Sequence, residues 1–408
     1  MATGTLAVTD TQQGVNRVGR ETAPQAQAAS DLYFALSDLD SQTARRILAI
    51  GDDNLATAES DAQATITRRV AEIDTDLRQA IGGTTDPAVQ AQFQGMLDKV
   101  ALYHDMSATA ISQDELSQSA SKGHPDPVAL SFYSQATDVM HFDLLPVAAQ
   151  LRDTYADQLH SSAKHQNQAW TIDTVLVLVT GLPLLAALVG FQMLLTRRFR
   201  RNLNPFLAVA TVATVVFLGT GLAMTSQQTD RVQNAVDHHM TPYLGIQQAR
   251  AVTFDAVGSM VRYAVAPNFG YDHGYAADLV ALNGGAGKPG LLSTGLNGTD
   301  GTLSTRAGSD WAAVQSDVGK LKSEVDGGDV DAALTEATGI AGGQLGQDFY
   351  ALDTHLGQAA DAQRSAFEAT MADARTGASG WAAAPTAVFV AVMVLTVAGV
   401  WRRLAEYR

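Results

Sequence analysis

The stretch TVLVLVTGLPLLAALVGFQMLL at residues 174–195 decides the predicted fold. It carries no charged side chain, and two further uncharged apolar runs follow at residues 206–224 and 382–401. A helix rises about 1.5 Å per residue and needs about 20 apolar residues to cross the hydrocarbon core of a bilayer. The three runs therefore predict three transmembrane helices in a multi-pass membrane protein. Buried core helices of a globular protein are the alternative interpretation.

Arginines at the ends of these runs predict the orientation, because basic residues next to a span stay in the cytoplasm. The loop at residues 196–205 and the tail at residues 402–408 include Arg197, Arg198, Arg200, Arg201, Arg402 and Arg403. We therefore expect a cell-membrane protein with residues 1–173 and 225–381 outside the cytoplasm and the C-terminus inside. These six arginines are also candidate docking residues for a cytoplasmic partner. Alternatively, they only fix the topology and contact anionic membrane lipid.

Composition limits the classes of function that the chain can perform. The net charge is −15 and there is no cysteine. An acidic surface disfavours nucleic acid as a partner, and a chain without cysteine forms no disulfide and does no thiol chemistry. The histidines show no metal-ligand spacing, and the Gly-rich stretches lack the sequence context of a phosphate-binding loop. We therefore expect no enzymatic activity, no metal and no cofactor.

An internal repeat divides the chain into two similar halves. The segment GTLAVTDTQQGVNRVGRETAP, which ends at Pro24, resembles GTGLAMTSQQTDRVQNAVDHHMTP, which ends at Pro242. In the second half this segment continues the apolar run at residues 206–224. The repeat therefore predicts a further span encoded upstream of Met1 and two units of span, outer domain and span.

Heptad-like apolar spacing predicts that both outer domains are all-α four-helix bundles. In the first domain, helices are expected at about residues 12–51, 54–81, 87–118 and 127–170. In the second domain, a first helix is expected to end near residue 266. A Gly-rich insert at residues 268–309 then predicts a shortened second helix followed by a long irregular loop. Helices are expected again at about residues 310–325 and 329–378.

Three short patterns resemble a known family. They are FYSQATDVM at residues 132–140, LLPVA at residues 144–148 and VDGGD at residues 325–329. Together they resemble the actinobacterial GlnX-type membrane proteins. The resemblance implies two extracytoplasmic bundles related to chemoreceptor sensor domains. It also implies signal relay from an amino-acid-binding lipoprotein outside to a soluble Ser/Thr protein kinase of the kinase G class inside. A structural, transport or secretion accessory protein without ligand-dependent signalling is the alternative.

Four arginines form the candidate ligand or partner site. Chemoreceptor bundles similar to this one hold an amino-acid carboxylate with arginines of the first helix. That resemblance implies such a role for Arg45 and Arg46, and for Arg250 and Arg262 in the second half. A guanidinium fork suits a carboxylate. Alternatively, these arginines are solvated or paired with aspartates of the chain. The sequence leaves open whether a ligand binds directly or through the lipoprotein, and whether the protein is a homo-oligomer.

Overall fold

The computed structural model describes residues 12–52, 55–83, 87–117, 123–199, 205–267, 269–285, 287–339 and 343–379, with parts of 387–401. The first half contains α1 (Ala23–Ala49), α2 (Ala56–Gly83), α3 (Pro87–Leu116), α4 (Pro127–Asp138) and α5 (Leu145–Phe199). The second half contains α6 (Pro205–Ala235), α7 (Thr241–Val265), α8 (Phe269–Asn283), β1 (Gly284–Gly285), β2 (Lys288–Pro289), α9 (Leu291–Gly295), α10 (Gly301–Gly327), α11 (Val330–Thr338) and α12 (Leu345–Ser379). The all-α prediction is therefore confirmed.

The prediction of a multi-pass membrane protein is wrong. Within the described residues, no helix combines the length and the apolarity that a membrane span requires. The helices α5 and α6 include residues 174–195 and 206–224, which are the first two of the three apolar runs. We also predicted a cell-membrane location, with both large domains outside and the C-terminus in the cytoplasm. That prediction depended on these spans and is wrong for the same reason. Most of the third run, residues 382–401, lies outside the described residues.

Within the described residues, three π-helical segments interrupt the helices. They are Val18–Thr22, Val139–Leu144 and Val236–Met240. Each ends two residues before a proline, at Pro24, Pro146 and Pro242. Proline has no N–H to donate, and its ring crowds the carbonyl four residues earlier. The preceding turn widens instead, so that the Leu145 N–H donates to the Met140 carbonyl five residues back. The first and third segments occupy equivalent positions of the sequence repeat.

The chain forms two compact units. The large unit contains Pro24–Asp157 and His238–Ser365, and the small unit contains the described parts of Met1–Ala23, Gln158–Asp237 and Ala366–Arg408. In the small unit, α5 and α6 are joined by a hydrogen bond in which a glutamine amide donates to a threonine hydroxyl over 3.1 Å. The predicted domain boundaries, with a first bundle at residues 1–173 and a second at residues 225–381, stay predictions.

The first half contributes a four-helix core to the large unit. The fourth helix of this core is α4 continued through the π-helical segment into α5. One face of each of the four helices supplies apolar residues. They include Leu32, Leu36 and Leu39 from α1, Ile66, Ile73 and Leu77 from α2, Phe93, Met96 and Val100 from α3, and Met140, Leu144 and Ala148 from the fourth helix. Within each helix these residues recur at intervals of three, four or seven positions, as packing of one helix face requires. The helical-bundle prediction is confirmed for this half.

The Gly-rich insert of the second half is more ordered than predicted. It begins with the short helix α8 and continues as a hairpin of β1 and β2, in which Gly284 adopts a φ of +85°. The irregular loop is short because α10 begins at Gly301 and not near residue 310. Asp300 caps this helix, since its carboxylate accepts hydrogen bonds from the backbone N–H groups of Thr302 and Leu303.

The equivalent helices of the two halves, α1 and α7, pack side by side in the large unit. Asp31 contacts Tyr243 near the start of both helices, and Asp40 contacts Arg262 farther along both. The helices therefore run parallel. The partners lie 212 and 222 residues apart, close to the separation of the two copies of the sequence repeat. Equivalent levels of the two halves thus face each other.

Candidate functional site

The contact between α1 and α7 contains a buried ion pair. Asp40 of α1 is 2% exposed and Arg262 of α7 is 1% exposed. Nη1 of Arg262 donates a hydrogen bond to Oδ2 of Asp40. Burying a charge is costly unless the charge is paired and hydrogen-bonded. Both groups therefore depend on the polar side chains around them.

Asp40 accepts hydrogen bonds from further residues of the first half. Oη of Tyr103, on α3, donates to Oδ1 of Asp40 over 3.1 Å, and Nε2 of His141 lies 3.0 Å from Oδ2. His141 belongs to the π-helical segment Val139–Leu144. The proline that follows this segment therefore shapes the turn on which the histidine stands.

Arg262 has further partners on its own helix. Nη2 of Arg262 donates to Oδ1 of Asp255 over 3.1 Å and to Oγ of Ser259 over 3.0 Å. Residues three and seven positions apart share one face of a helix, so these contacts follow from sequence spacing. Nε of Arg262 has no hydrogen-bond partner in the described part of the chain. A buried unpaired donor costs about 1–3 kcal/mol.

We name these residues the central cluster: Asp40, Tyr103, His141, Asp255, Ser259 and Arg262. Their ionisation follows from burial and mutual charge. Burial acts to raise the pKa of Asp40, but the charge of Arg262 and the contacts with His141 and Tyr103 together outweigh burial and hold that pKa below its usual value of 3.8. Burial, together with the charge of Asp40, raises the pKa of Tyr103 well above 10.0. At neutral pH, Asp40 and Arg262 are therefore ionised and Tyr103 is a neutral donor.

The central cluster also contains atoms of types that bind metals. One nitrogen of His141 and one oxygen each of Asp40 and Asp255 lie within 4.8 Å of one another. However, the guanidinium of Arg262 contacts both carboxylates. Its positive charge lies where a divalent ion would have to bind, and the two would repel. These residues are therefore assigned to an ion-pair network and not to a metal centre.

A second polar layer lies around Phe34 of α1. The guanidinium carbons of Arg69 and Arg250 lie 4.8 and 4.0 Å from the centroid of the Phe34 ring. Each cation also has a carboxylate partner. Nε of Arg69 lies 2.6 Å from Oδ2 of Asp38, and Nη2 of Arg250 lies 2.7 Å from Oδ1 of Asp353. Cation–π contacts of this kind contribute about 0.5–2 kcal/mol each. The ring thus links α1 to α2 on one side and to α7 on the other.

A third polar contact lies near the start of α1. Oη of Tyr243 and Nε2 of Gln247 each donate to Oδ1 of Asp31 over 2.5 Å. Burial raises the pKa of Asp31, although both hydrogen bonds oppose this shift. The contact between α1 and α7 is therefore polar at three levels, and each level pairs a residue of one half with a specific residue of the other.

Three of the four arginines predicted to hold a ligand carboxylate already pair with carboxylates of the chain. Arg262 pairs with Asp40, and Arg250 pairs with Asp353, as described above. Nη2 of Arg46 lies 2.5 Å from Oε1 of Glu115. The structure thus places Arg250 and Arg262 on the contact between the halves, whereas Arg46 joins α1 to α3. Arg46 does not belong to the central cluster.

The fourth arginine, Arg45, lies on α1 without a close ion pair among the described residues. Burial lowers its pKa, and the charges of Asp38 and Asp61 oppose this shift. Its Nε has no hydrogen-bond partner in the described part of the chain. Carboxylates therefore dominate the charges around Arg45, which gives an anionic ligand little net attraction.

The six arginines predicted for docking are not tested by the structure. Arg197 and Arg198 belong to α5, but their side chains lie outside what is described, and Arg200, Arg201, Arg402 and Arg403 lie outside the described residues. Their roles in docking or in fixing topology stay predictions.

Arg262 was predictable as a site residue from the sequence, whereas Asp40 and His141 were not predicted. A signal for Asp40 was present, because it follows Leu36 by one helical turn on the predicted apolar face of α1. A charged residue on such a face must find a buried partner. His141 had the weaker signal of lying five residues before Pro146, and nothing in its spacing connected it to Asp40.

Comparison with protein families gives an independent observation on the first half. Residues 14–164 match the model of the actinobacterial sensor domain. The matched segment includes Asp40, Tyr103 and His141 of the central cluster. This match supports an actinobacterial sensor protein with a role in sensing or signalling. Searches of curated proteins and of solved structures give no match.

Proposed function

We propose that this protein is a non-enzymatic sensor relay that passes the state of an amino-acid-binding lipoprotein to a Ser/Thr protein kinase. The observation that carries the proposal is the match of residues 14–164 to the actinobacterial sensor domain. The two partner classes come from the GlnX-type resemblance of the sequence patterns, and they are the finer part of the proposal.

The occupied arginines favour a protein partner over direct capture of a free amino acid. An incoming carboxylate would have to displace Asp40 from Arg262, Asp353 from Arg250 or Glu115 from Arg46. The net charge of −15 also repels an acidic ligand. A binding lipoprotein that holds the amino acid itself removes both difficulties, because its contact with the sensor need not use these arginines.

The polar contact between α1 and α7 supplies an element on which a partner could act. Desolvation offsets much of the attraction in a buried ion pair, so such contacts add less stability than an apolar interface of the same size. A switch needs two arrangements that differ by only a few kcal/mol. The three polar levels satisfy this requirement better than a continuous apolar seam would.

Capture of the tagged full-length protein from native cells tests the partners. We expect a solute-binding lipoprotein and a Ser/Thr kinase to be enriched over a capture with an unrelated tagged protein. Phosphorylation of the kinase substrates should change in Arg262→Met. It should not change in Arg78→Met, because Arg78 is 71% exposed and pairs with Asp74 on its own helix.

Two outcomes would count against the relay. One is enrichment of cell-wall or secretion components without a kinase, which supports an accessory role. The other is kinase output that is identical in the parent, in Arg262→Met and in a strain that lacks the protein.

A further inference from the structure

The surroundings of Arg262 contain more negative than positive charge. Asp40 and Asp255 contact the guanidinium directly. A third carboxylate, Asp278 of α8, is half-buried near this site. The guanidinium carbon of Arg262 lies 5.7 Å from the ring centroid of Tyr271, and Asp278 follows Tyr271 by seven positions on the same face of α8. The charges of Asp255, Arg262 and His141 all act on Asp278. Full ionisation would leave one guanidinium against three carboxylates. Uncompensated charge in a poorly solvated site is costly, so the site favours the uptake of protons.

His141 occupies the position at which a proton would restore the balance. Its Nε2 lies 3.0 Å from Oδ2 of Asp40 and 3.8 Å from Oδ1 of Asp255. These are the same two oxygen atoms that Arg262 contacts. A protonated imidazole would complete an alternating arrangement of two cations and two anions. It would also bridge the halves, because Asp40 and His141 belong to the first half and Asp255 to the second.

We propose that this site is a proton-operated joint between the two halves, in which protons on His141 and Asp278 hold α1 against α7 and their loss loosens the contact. The stimulus is the hydrogen ion itself. This inference goes beyond the proposed relay and does not depend on it, since it requires neither the lipoprotein nor the kinase.

Both protonation sites shift in the direction that the proposal requires. Burial acts to lower the pKa of His141, but the hydrogen bond and the charge of Asp40 outweigh it and raise that pKa above 6.5. Burial, reinforced by Asp255, raises the pKa of Asp278 from 3.8 to about 8. A group with a raised pKa in the folded state gives stability that is complete below its unfolded pKa and is lost as pH rises through its folded pKa. The joint should therefore be tightest in acid and should loosen as pH rises to about 8 and above.

Asp40 sets a lower pH limit for the tight contact between α1 and α7. Its pKa is lowered, so its contribution is present above 3.8 and is lost only as pH falls further. Among the described residues, four tyrosines interact electrostatically with this site: Tyr33 of α1, Tyr103 of α3, Tyr133 of α4 and Tyr271 of α8. Two charged groups act on these tyrosines in turn, Arg152 of α5 on Tyr33 and Asp138 of α4 on Tyr271. Burial raises the pKa of the four tyrosines, so they remain neutral across the relevant range.

A distance measurement on the full chain tests the joint. The sequence has no cysteine, so Ser134→Cys on α4 and Ser316→Cys on α10 place two spin labels at exposed positions, one in each half. Pulsed electron paramagnetic resonance then gives the distance distribution from about pH 5 to about pH 9, the range in which histidine and a carboxyl of raised pKa titrate. We expect the distribution to shift reversibly, with one population at acid pH and another at alkaline pH.

Two variants identify the protons. Asp278→Asn mimics the protonated carboxyl at every pH, so it should raise the midpoint of the shift by about one pH unit or more. His141→Gln removes the imidazole and should populate the alkaline distribution already at acid pH. His104→Gln is the matched control, because His104 is exposed on α3 and should leave the midpoint unchanged.

Three results would overturn the inference. The first is a distribution that stays constant between the two pH limits in the parent protein. The second is a midpoint in Asp278→Asn equal to that of the parent. The third is a shift that follows added Zn²⁺ and disappears with excess EDTA, since a metal would then operate the contact.

Discussion

Replacing Arg262 by methionine tests whether the central cluster holds the large unit together. The change removes a cation that is 1% exposed and leaves Asp40, 2% exposed, without its main partner. Removal of one member of a buried ion pair costs about 3–5 kcal/mol, because the other charge stays buried and uncompensated. His141 and Tyr103 still contact Asp40, so we expect a loss near the lower end of this range.

Unfolding in urea measures this loss if the signal comes from the large unit alone. Trp311 is 5% exposed on α10, and its Nε1 donates to Oδ1 of Asn283 over 2.7 Å. Replacing the other three tryptophans, Trp170, Trp381 and Trp401, by phenylalanine makes its fluorescence a specific probe. In Arg262→Met, the urea concentration at the midpoint of unfolding should fall. The slope of the free energy of unfolding against urea concentration should stay constant.

A double variant separates the ion pair from the packing around it. Asp40→Leu with Arg262→Met removes both charges, and such a replacement is often neutral or stabilising relative to a single change. Tyr103 then lacks an acceptor, which costs about 1–3 kcal/mol. We expect the double variant to be more stable than Arg262→Met alone. If its loss equals or exceeds the sum of the two single losses, the reasoning about the buried charge is refuted.

Two matched pairs of variants test other contacts by the same urea assay. A β carbon at Gly295 would lie 2.9 Å from backbone atoms at Gly245, so Gly295→Ala should cost about 1–3 kcal/mol. Gly319→Ala lies inside α10 with no atom within 4 Å and should instead stabilise by about 0.5–1 kcal/mol; the reverse order would contradict the close approach of α7 and α9. Arg46→Met, at a side chain 12% exposed and paired across helices, should cost about 1–3 kcal/mol. Arg78→Met, at a side chain 71% exposed, should cost less than about 0.5 kcal/mol. Equal losses in Arg46→Met and Arg78→Met would show that the half-buried pair stabilises the fold no more than the exposed pair does.

Local chemistry made helix boundaries in both halves predictable. Asp126 followed by Pro127 indicated the start of α4, and the Asp126 carboxylate does accept from the Val128 N–H over 2.8 Å. Gly328 ends α10 in the left-handed conformation, with a φ of +74°, at the break expected there. Such signals involve residues two to four positions apart, so the sequence displays them directly.

The partners across α1 and α7 could not be predicted in the same way. They lie more than 200 residues apart, and neither the repeat nor the apolar periodicity states which faces of the two helices meet. The membrane prediction was wrong as well, since no helix of the described residues is both long enough and apolar enough to cross a membrane.

The repeat explains why the ion pair of the central cluster takes its acid, Asp40, from the first half and its base, Arg262, from the second half. Counted from Pro24 and Pro242, the position equivalent to Asp40 in the second half is Gly258, and the position equivalent to Arg262 in the first half is Ala44. A symmetric dimer of the first half would therefore place Asp40 near uncharged Ala44, and its buried carboxylate would lack this cation. Gly258 also leaves space for the pair, since a β carbon there would lie 3.3 Å from Nη1 of Arg262. Two copies in one chain can diverge separately, so an acid in one half and a base with an adjacent glycine in the other can form a contact that identical subunits could not.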